Sequence, residues 1–393
     1  MNDMSWRDAY LRLHPQVALK RLEHLYLYDI GRDDLYELSD SAEPFLLGCD
    51  GSSKGSELTA DAEFVEYCLK EGLIEALSQP DPVLVAAGKS PEPSLRYLEL
   101  QLLHQCNLKC RHCYLGPPRP DELSLDDALK ITHEFSAYGG LRLLISGGEP
   151  LLYPHLKAFI IKTAGLPIRR VLFTNGTLIS QKNVEWLQVE EIQFSLDGWR
   201  QGHDLVRGKG NFDRTLRGIR LAKDAGIPIS IATMAHQGNL DEFEELRCFM
   251  EEVEAIEWGI DAPCIAGSLE KNRDLIVPHE KVASFMAYSY GGGYHGASDG
   301  FACGRHLMTV MPNGKAVKCG FYEDNPLGDA RQGLLHCWLR VDHVPLEKLE
   351  CKDCSVVNEC AGGCRFRAAH PLAPDPLMCA FYGKGSNVPQ RNG

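Results

Sequence analysis

Three cysteines within eight residues constrain this chain more than any other feature. They are Cys106, Cys110 and Cys113, in the spacing Cys-x3-Cys-x2-Cys. Iron-sulfur clusters are held by cysteine thiolates, and a four-iron cluster with three protein ligands keeps one iron open to a small molecule. Structural zinc also binds clustered cysteines, but it takes a fourth ligand, and no obvious one lies nearby. The spacing therefore favours an iron-sulfur cluster with a reactive iron.

Composition narrows the class of protein. With 393 residues, 44% hydrophobic and 24% charged, the chain is long enough for two or three soluble globular domains. No apolar run approaches a membrane-spanning length and no signal peptide is apparent, so we expect a cytoplasmic protein without a membrane partner. The fifteen cysteines, mostly in short-spaced clusters, indicate metal ligands in a reducing compartment. The net charge of -13 disfavours nucleic acid, whose phosphates would repel it.

From about Ser94 onward, apolar runs that end in glycine or cysteine alternate with stretches of helical periodicity. This alternation is typical of βα units around a parallel sheet, and six units indicate an α/β fold built as a partial (β/α)6 TIM barrel, open on one side. The three-cysteine loop follows the first predicted strand, so we place it at the C-terminal face, where barrel enzymes carry their chemistry. The predicted strands are Leu95 to Leu103, Leu141 to Ser146, Arg170 to Thr174, Glu191 to Leu196, Ile227 to Thr233 and Ala255 to Ile260, and the predicted helices include Ser124 to Tyr138, Phe212 to Ala225 and Leu240 to Val253.

The cysteine motif, with the aromatic His112 just before its third cysteine, resembles the signature of the radical S-adenosylmethionine (SAM) enzymes. The resemblance implies a [4Fe-4S] cluster whose open iron chelates the amino and carboxylate groups of SAM. An electron from a flavodoxin- or ferredoxin-like reductant then cleaves SAM to a 5'-deoxyadenosyl radical, which abstracts hydrogen from the substrate. We therefore expect a radical SAM oxidoreductase or maturase.

Residues that follow other predicted strands fit the same resemblance. The stretch Ser146 to Pro150 resembles the second-strand motif that holds the SAM ammonium with its exposed backbone and acidic side chain. Taken singly, these signals are weak, because Gly-Gly-Glu-Pro and Asn-Gly are also common turns, and an arginine on a glycine-flanked loop is often a solvated charge. Their order along the chain favours SAM binding. The implied SAM-binding residues are Gly147, Gly148, Glu149, Asn175, Ser195 and Arg207.

A second cysteine array fills the C-terminal part of the chain, beginning Cys303-x10-Gly314-x4-Cys319. It closely matches the seven-cysteine pattern of the SPASM domain, which carries auxiliary iron-sulfur clusters in radical enzymes that modify peptides and proteins. A zinc ribbon is the alternative, because paired Cys-x2-Cys knuckles also bind zinc. By resemblance, the outer auxiliary cluster is bound by Cys351, Cys354, Cys360 and Cys379, and the inner one by Cys303, Cys319 and Cys364.

The array departs from the fullest family pattern, which has an eighth cysteine shortly before the first. Ala297 stands in that region, so the inner cluster lacks an evident fourth thiolate. A thiolate of the substrate binding an open iron, Cys264 folding in from the end of the sixth strand, or a water or His295 filling the position are the alternatives. The remaining cysteines are expected to be buried small hydrophobes: Cys49, Cys68, Cys248 and Cys337.

The first ninety residues lack a cluster motif. Val17 to Ile30 and Asp33 to Ser39 are predicted strands, Ala62 to Leu77 is a predicted helix, and a proline-rich linker follows. The stretch Leu35 to Gly51 with Phe64 to Leu73 resembles the winged-helix peptide chaperone of pyrroloquinoline quinone biosynthesis. The resemblance implies a domain that binds the leader of a precursor peptide along a strand edge. The alternative is a cap that packs on the barrel.

Together these parts predict a winged-helix leader-recognition domain (1–90), a radical SAM barrel (91–290) and a SPASM domain with two auxiliary clusters (291–393). The predicted function is modification of a ribosomally synthesised precursor peptide, by a thioether or carbon-carbon crosslink. The ending around Gly362 to Ala368 also resembles haem-modifying relatives, so a tetrapyrrole substrate is an alternative, as are a protein-cofactor maturase and a scaffold that does not cleave SAM. No catalytic acid, base or radical relay is identifiable from the sequence.

Overall fold

The computed structural model describes residues 5–293, 295 and 300–384. Within these residues the chain forms two compact units, and the predicted limits of the three domains stay predictions. The first unit comprises residues 1–97, 132–142 and 165–169, and the second comprises residues 98–131, 143–164 and 170–393.

Two small antiparallel sheets and two helices dominate the first unit. In one sheet β1 lies between β5 and β6, and in the other β3 lies between β2 and β4. Leu11, Leu27, Phe45 and Val65 share one buried core, so strands and helices of this unit pack on a common apolar centre. The elements are β1 (Tyr10–Leu13), β2 (Val17–Arg21), β3 (Leu25–Asp29), β4 (Asp34–Leu38), α1 (Glu43–Gly48), β5 (Asp50–Lys54), α2 (Ala62–Lys70) and β6 (Ile74–Leu77).

Two predictions for this unit are wrong in detail. The predicted strand Val17 to Ile30 is a hairpin of two strands, because the chain reverses at residues 22–24. The predicted helix Ala62 to Leu77 ends at Lys70, since Gly72 takes a φ of 72°, a left-handed conformation that glycine adopts readily. The apolar residues that seemed to extend the helix instead begin β6.

A nine-stranded sheet runs through the remaining strands, in the order β12-β11-β10-β9-β8-β7-β13-β14-β15. The pairs β9–β10, β10–β11 and β11–β12 are parallel, whereas β13, β14 and β15 pair antiparallel. The six strands predicted for the barrel are confirmed, with ends shifted by a few residues. They are β7 (Tyr97–Gln101), β8 (Arg142–Ser146), β9 (Arg169–Thr174), β10 (Glu191–Ser195), β11 (Ile229–Met234) and β12 (Glu257–Asp261), followed by β13 (Leu307–Val310), β14 (Lys315–Val317) and β15 (Gly328–Asp329).

Helices alternate with these strands as the periodicity predicts. One of the longer helices begins after Ser124, whose Oγ accepts a hydrogen bond of 3.1 Å from the backbone N–H of Asp127, an N-terminal cap. Buried Leu246, Phe249 and Met250 give a later helix an apolar face toward the sheet side of its unit. The helices are α3 (Leu125–Ala137), α4 (Leu156–Thr163), α5 (Gln181–Val184), α6 (Arg200–Arg207), α7 (Asn211–Asp224), α8 (Phe243–Val253), α9 (His279–Phe285), α10 (Leu334–Trp338), α11 (Val357–Cys360) and α12 (Pro376–Phe381).

The part of the chain that carries the second cysteine array has little regular structure. Its strands and helices are short, and a small apolar cluster of Ala302, Val344, Leu349 and Val357 forms its centre. Cys351 and Cys354 pack against that cluster. In the described residues, no helix has the length and apolar character needed to cross a membrane.

Candidate functional site

A cavity of about 800 Å³ opens at the carboxyl ends of the parallel strands. Ser146, Thr174 and Ser195 are the last residues of β8, β9 and β10, and all three line it. The volume falls in the range of small-molecule sites, and this end of the strands is where barrel enzymes place their active sites. The cavity is therefore the candidate active site.

The three-cysteine loop forms part of the cavity wall. Cys106, Cys110 and Cys113 all line the cavity, and their thiols are electrostatic neighbours. The side-chain nitrogen Nδ2 of Asn175 lies 4.0 Å from Sγ of Cys106, and Nη1 of Arg207 lies 3.9 Å from Sγ of Cys110. Donors aimed at cluster sulfurs tune the reduction potential of iron-sulfur centres. Two of the predicted SAM-binding residues thus contact the cysteines themselves.

Arg207 belongs to a buried charge network rather than to a solvated loop. Its Nε donates to Oδ2 of Asp197 at 2.5 Å, and Nε2 of His112 lies 3.1 Å from the same oxygen. The backbone N–H of Met234 donates to the other oxygen at 2.9 Å. Burial alone would raise the pKa of Asp197, but the charges of Arg207 and His112 outweigh it and hold this pKa well below its usual value. The network fixes the position of the loop residue His112 and of Arg207 beside Cys110.

The glycines of the second-strand motif let the end of β8 approach the start of the cysteine loop. A Cβ on Gly147 would lie 2.4 Å from the carbonyl oxygen of Leu103, and one on Gly148 would lie 2.2 Å from that of Gln105. The backbone N–H of Gly148 donates to the carbonyl of Leu103 at 2.9 Å. Both glycines also line the cavity. Their absence of a side chain therefore serves close backbone packing as well as the expected access of a ligand.

Glu149 lies behind the cavity wall. Its side chain is fully buried and accepts hydrogen bonds from Oγ1 of Thr174 at 2.8 Å and from the backbone N–H groups of Asn175 at 2.9 Å and Leu151 at 3.1 Å. Burial raises its pKa, and these donors oppose the shift. In this geometry Glu149 joins the end of β8 to the end of β9. The expected contact of its carboxylate with the SAM ammonium stays a prediction.

Sequence reasoning missed a second polar group of the cavity, centred on Glu99. Its Oε1 accepts from Oγ of Ser146 at 2.7 Å and from the hydroxyl of Tyr114 at 3.3 Å, and Oε2 accepts from Oγ1 of Thr309 at 2.8 Å. Tyr114 follows Cys113 directly, and its ring centroid lies 4.8 Å from that of Phe321. Burial and the Glu99 carboxylate raise the pKa of Tyr114 well above its usual value. The alternation of side chains along a strand could have indicated this group. Glu99 stands between two leucines in β7, so its side chain points to the opposite face of the sheet from theirs.

The C-terminal cysteines form two groups of neighbours with the same members that the resemblance to the SPASM domain implies, and their role as cluster ligands stays a prediction. The thiols of Cys303, Cys319 and Cys364 interact electrostatically, and Cys364 also lines the cavity. The other group has four members, and its thiols are likewise mutual neighbours: Cys351, Cys354, Cys360 and Cys379. Among the described residues, no three His, Cys, Asp or Glu side chains converge in a way that would hold a single metal ion.

The cysteines outside these groups differ from the prediction at one position. Cys49, Cys68 and Cys337 are buried as expected, but Cys248 is exposed on α8. Cys248 directly precedes Phe249, which lies on the buried apolar face of α8, so Cys248 itself lies outside that face. Ala297, which bears on the fourth ligand of the inner group, lies outside the described residues.

The residues at the cavity fit a cluster with bound SAM. The three cysteines of the loop line one cavity, spaced more widely than the ligands of a single ion, and donors of Asn175 and Arg207 lie beside them. Two buried ring nitrogens on the wall, Nε2 of His104 and Nδ1 of His112, have no hydrogen-bond partner within the described protein. Buried polar atoms of this kind normally have a partner, so the cavity is suited to a polar ligand.

Comparison with known proteins assigns the segment that carries this site. Residues 100–249 match the family described as the Radical SAM superfamily. The chain contains a radical SAM domain, and its α/β sheet has the radical SAM fold.

Two curated proteins are similar in sequence over part of the chain. The AdoMet-dependent heme synthase of Oleidesulfovibrio alaskensis is 32% identical over 176 residues, which is 43% of this chain and 45% of that protein. The sporulation killing factor maturation protein SkfB of Bacillus subtilis is 31% identical over 153 residues, 37% of each chain. This chain therefore spans less than half the length of either relative.

A solved protein is similar in fold over nearly the whole chain. Streptococcus suis SuiB with bound S-adenosylmethionine superimposes with a TM-score of 0.66 at 16% identity, covering 90% of this chain and 96% of SuiB. SuiB bound to its precursor peptide SuiA gives a TM-score of 0.65, covering 91% of this chain. At this identity the likeness establishes the fold.

Proposed function

We propose that this chain is a radical SAM enzyme that modifies a ribosomally synthesised precursor peptide. The observation that carries the proposal is one cavity whose wall contains both the three-cysteine loop and Cys364 of the second array. A substrate in that cavity would lie close to both cysteine regions. The fold of SuiB, which has been solved with a precursor peptide, supports a peptide substrate.

The proposed cofactors are a [4Fe-4S] cluster with SAM and two auxiliary iron-sulfur clusters, each bound by one of the three cysteine groups. When bound, the cluster with SAM would supply a 5'-deoxyadenosyl radical that removes one hydrogen atom from the peptide. The auxiliary clusters would accept the electron that is released, together with a proton, when a thioether or carbon-carbon crosslink forms. The proposed SAM-binding residues on the cavity wall are Gly147, Gly148, Asn175, Ser195 and Arg207. A flavodoxin- or ferredoxin-like protein would supply the first electron, in the cytoplasm.

The side chains of the cavity would position the peptide and exclude water. Leu108, Phe173, Met234 and Phe321 give the wall an apolar part, which suits a site that must protect a radical from solvent. The raised pKa of Tyr114 keeps its hydroxyl protonated even above the usual range of a tyrosine, so it can donate a hydrogen bond to a substrate carbonyl or to Glu99. The protein's part is thus to orient and shield, while the cofactors supply the chemistry.

We further propose that the leader of the peptide pairs with β4 of the first unit. In the sheet β2-β3-β4 the outer strands are β2 and β4. The edge of β2 is partly occupied, because Arg21 forms a bridge with Lys89. Residues of β4 are partly exposed along the whole strand. An extended peptide added to such an edge gains main-chain hydrogen bonds, and tethering raises the local concentration of its core segment. Under this proposal the first unit would have the leader-recognition role that the sequence predicts for a winged-helix domain.

The test is SAM cleavage and peptide modification by the full chain. Anaerobically reconstituted protein would be reduced with dithionite in the presence of SAM and a synthetic copy of a short peptide encoded beside its gene. We expect 5'-deoxyadenosine by liquid chromatography and, by mass spectrometry, loss of a pair of hydrogen atoms per crosslink. Formation of 5'-deoxyadenosine without any change in such peptides would contradict the peptide proposal, and its absence with the first cluster intact would contradict radical SAM activity.

A tetrapyrrole substrate is the second candidate, because the radical SAM segment is 32% identical to a heme synthase. The same reduced protein would be incubated with an iron porphyrin that carries propionate groups. Loss of carbon dioxide from the porphyrin, together with unchanged peptides, would favour this function over the first.

A further inference from the structure

The inner group of C-terminal cysteines has one thiol fewer than the outer group. Cys303, Cys319 and Cys364 are neighbours, whereas the outer group contains four cysteines. Four-iron clusters that only carry electrons are held by four protein thiolates. What occupies the fourth position decides whether the inner cluster carries electrons or also binds a substrate.

Cys264 occupies a suitable place. It follows β12 after Ala262 and Pro263, is nearly completely buried, and lines the cavity together with Cys364. The side chain of Cys264 is a hydrogen-bond neighbour of that of Cys364, and both residues line the same cavity. Cys264 is therefore adjacent to the inner group, although it lies far from it in sequence.

A buried arginine holds the two segments together. Nη1 of Arg367 donates to Oδ1 of Asp261 at 2.7 Å, at the end of β12, while its Nε and Nη2 donate to the two oxygens of Asp375 at 2.8 and 2.9 Å. Oδ2 of Asp375 in turn accepts from the backbone N–H of Cys364 at 2.8 Å. The loop that carries Cys264 and the backbone of Cys364 thus share one buried ion-pair network, which keeps their thiols adjacent. Such supporting contacts are typical of ligand positions in metal sites.

We propose that Cys264 is the fourth thiolate ligand of the inner auxiliary cluster, with Cys303, Cys319 and Cys364. This inference rests on the auxiliary clusters of the proposed function. It closes the inner cluster, so that a substrate thiolate does not bind there and the cluster serves electron transfer. The substrate class then includes peptides whose crosslink does not need a cysteine held on iron.

The test uses the full chain in which Cys106, Cys110 and Cys113 are replaced by alanine, so that only auxiliary clusters are observed. After anaerobic reconstitution this parent should hold about eight iron atoms per chain, as expected for two four-iron clusters. Adding Cys264→Ser, a change of similar size that preserves the fold, should cut iron by up to about half or convert one cluster to a three-iron form seen by electron paramagnetic resonance and Mössbauer spectroscopy. The matched control is Cys248→Ser, because Cys248 is an exposed thiol outside all groups.

A second measurement does not depend on the stability of the variant. Parent and Cys264→Ala protein would be titrated with 2-mercaptoethanol, and the reduced clusters followed by electron paramagnetic resonance. The parent spectrum should stay unchanged, whereas the variant should gain a thiol-dependent signal from the opened iron. Identical iron content and identical response in Cys264 variants, parent and control would overturn the ligand assignment. A parent without bound iron would overturn the auxiliary clusters as well, which separates failure of the inference from failure of the proposed function.

Discussion

The two cysteine regions of the second unit are held in place in different ways. The loop 106–113 leads out of a strand and is fixed by side chains of neighbouring strand ends, above all by the Asp197–Arg207 pair. The region 351–379 has almost no regular structure, and Arg365 supports it by donating to the carbonyl oxygens of Gly362, Gly363, Pro371 and Ala373. Both regions thus contain a buried ion pair, Asp197–Arg207 in the first and Arg367–Asp375 in the second, and the second region also uses the buried Arg365 to satisfy its own backbone.

The difference follows from where backbone hydrogen bonds go. Strand ends already have their carbonyls paired in the sheet, so buried side chains there are available to contact thiols. In a loop without a sheet, buried carbonyls need donors from side chains, and the five donors of one arginine meet several at once. The first region is therefore suited to binding a ligand and the second to holding a cluster within the protein.

The largest expected effect separates the two regions completely. Replacing Cys106, Cys110 and Cys113 together by alanine should abolish formation of 5'-deoxyadenosine, because the proposed SAM-binding cluster loses all of its protein ligands. The product would be measured by liquid chromatography after reduction with dithionite, with Cys248→Ser as the control that keeps full turnover. Unchanged turnover in the triple variant would place SAM cleavage elsewhere in the protein.

The corresponding change in the second region should uncouple cleavage from modification. Cys351→Ala with Cys354→Ala removes two proposed ligands of the outer cluster, while the thiols at the cavity stay in place. We expect 5'-deoxyadenosine to form still, while modified peptide per 5'-deoxyadenosine falls at least about tenfold, since the released electron has no outward path. Equal loss of both products would show that the two regions form one unit rather than two separable ones.

The contribution of the buried charge pair can be measured through stability. Asp197→Asn leaves Arg207 buried without its carboxylate, and breaking a buried pair in this way costs about 3–5 kcal/mol in the free energy of unfolding. The matched control, Asp213→Asn, breaks an exposed pair with Arg200 and should cost much less, because solvent screens that pair. Urea unfolding of the cofactor-free variants provides both values.

The same pair gives a pH dependence of known sign. The folded pKa of Asp197 is depressed, so its stabilising contribution is present above the unfolded value of about 3.9 and is lost as the pH falls toward the folded pKa. The Asp197→Asn variant should therefore lose less stability than the parent as the pH falls from about 5 to about 3, because in this range the unfolded carboxyl of Asp197 takes up a proton while the folded one stays ionised. Parallel stability curves for the two proteins would contradict the assignment.

Much of this architecture follows from local sequence patterns. The six strands of the barrel and the helices between them could be predicted, because alternation of apolar runs and helical periodicity is a local property. The grouping of the cysteines is implied by the resemblance to the SPASM domain and not by spacing alone, because Cys364 joins Cys303 and Cys319 across a long stretch of sequence. Helix ends were less predictable: α2 stops before a left-handed glycine, and Leu73 and Ile74 fit a helical face and a buried strand equally well.

The partners of individual side chains could not be predicted, because they depend on contacts between distant strands. Arg207 resembled a solvated loop charge, yet Asp197 and Cys110 enclose it. The donors to Glu149 from Thr174 and from the backbone of two further residues could not be predicted either, and the expected contact of Glu149 with the SAM ammonium stays a prediction. From the sequence, Cys264 is only one of several alternatives for the fourth ligand of the inner cluster, because no spacing rule describes its contact with Cys364, one hundred residues away.

The smallest expected effect concerns the polar group centred on Glu99, which lies in β7 before the first cysteine loop and lines the cavity. Glu99→Gln replaces one acceptor oxygen by an NH2 group that faces donors from Ser146, Tyr114 or Thr309, and an unsatisfied buried polar contact costs about 1–3 kcal/mol. Because this group lies apart from the contacts to Cys106 and Cys110, 5'-deoxyadenosine formation without peptide should change less than peptide modification does. Tyr114→Phe, which removes one donor but keeps the ring on Phe321, is the milder companion variant. If both variants lowered SAM cleavage and peptide modification by the same factor, Glu99 would serve the first cysteine region rather than the substrate.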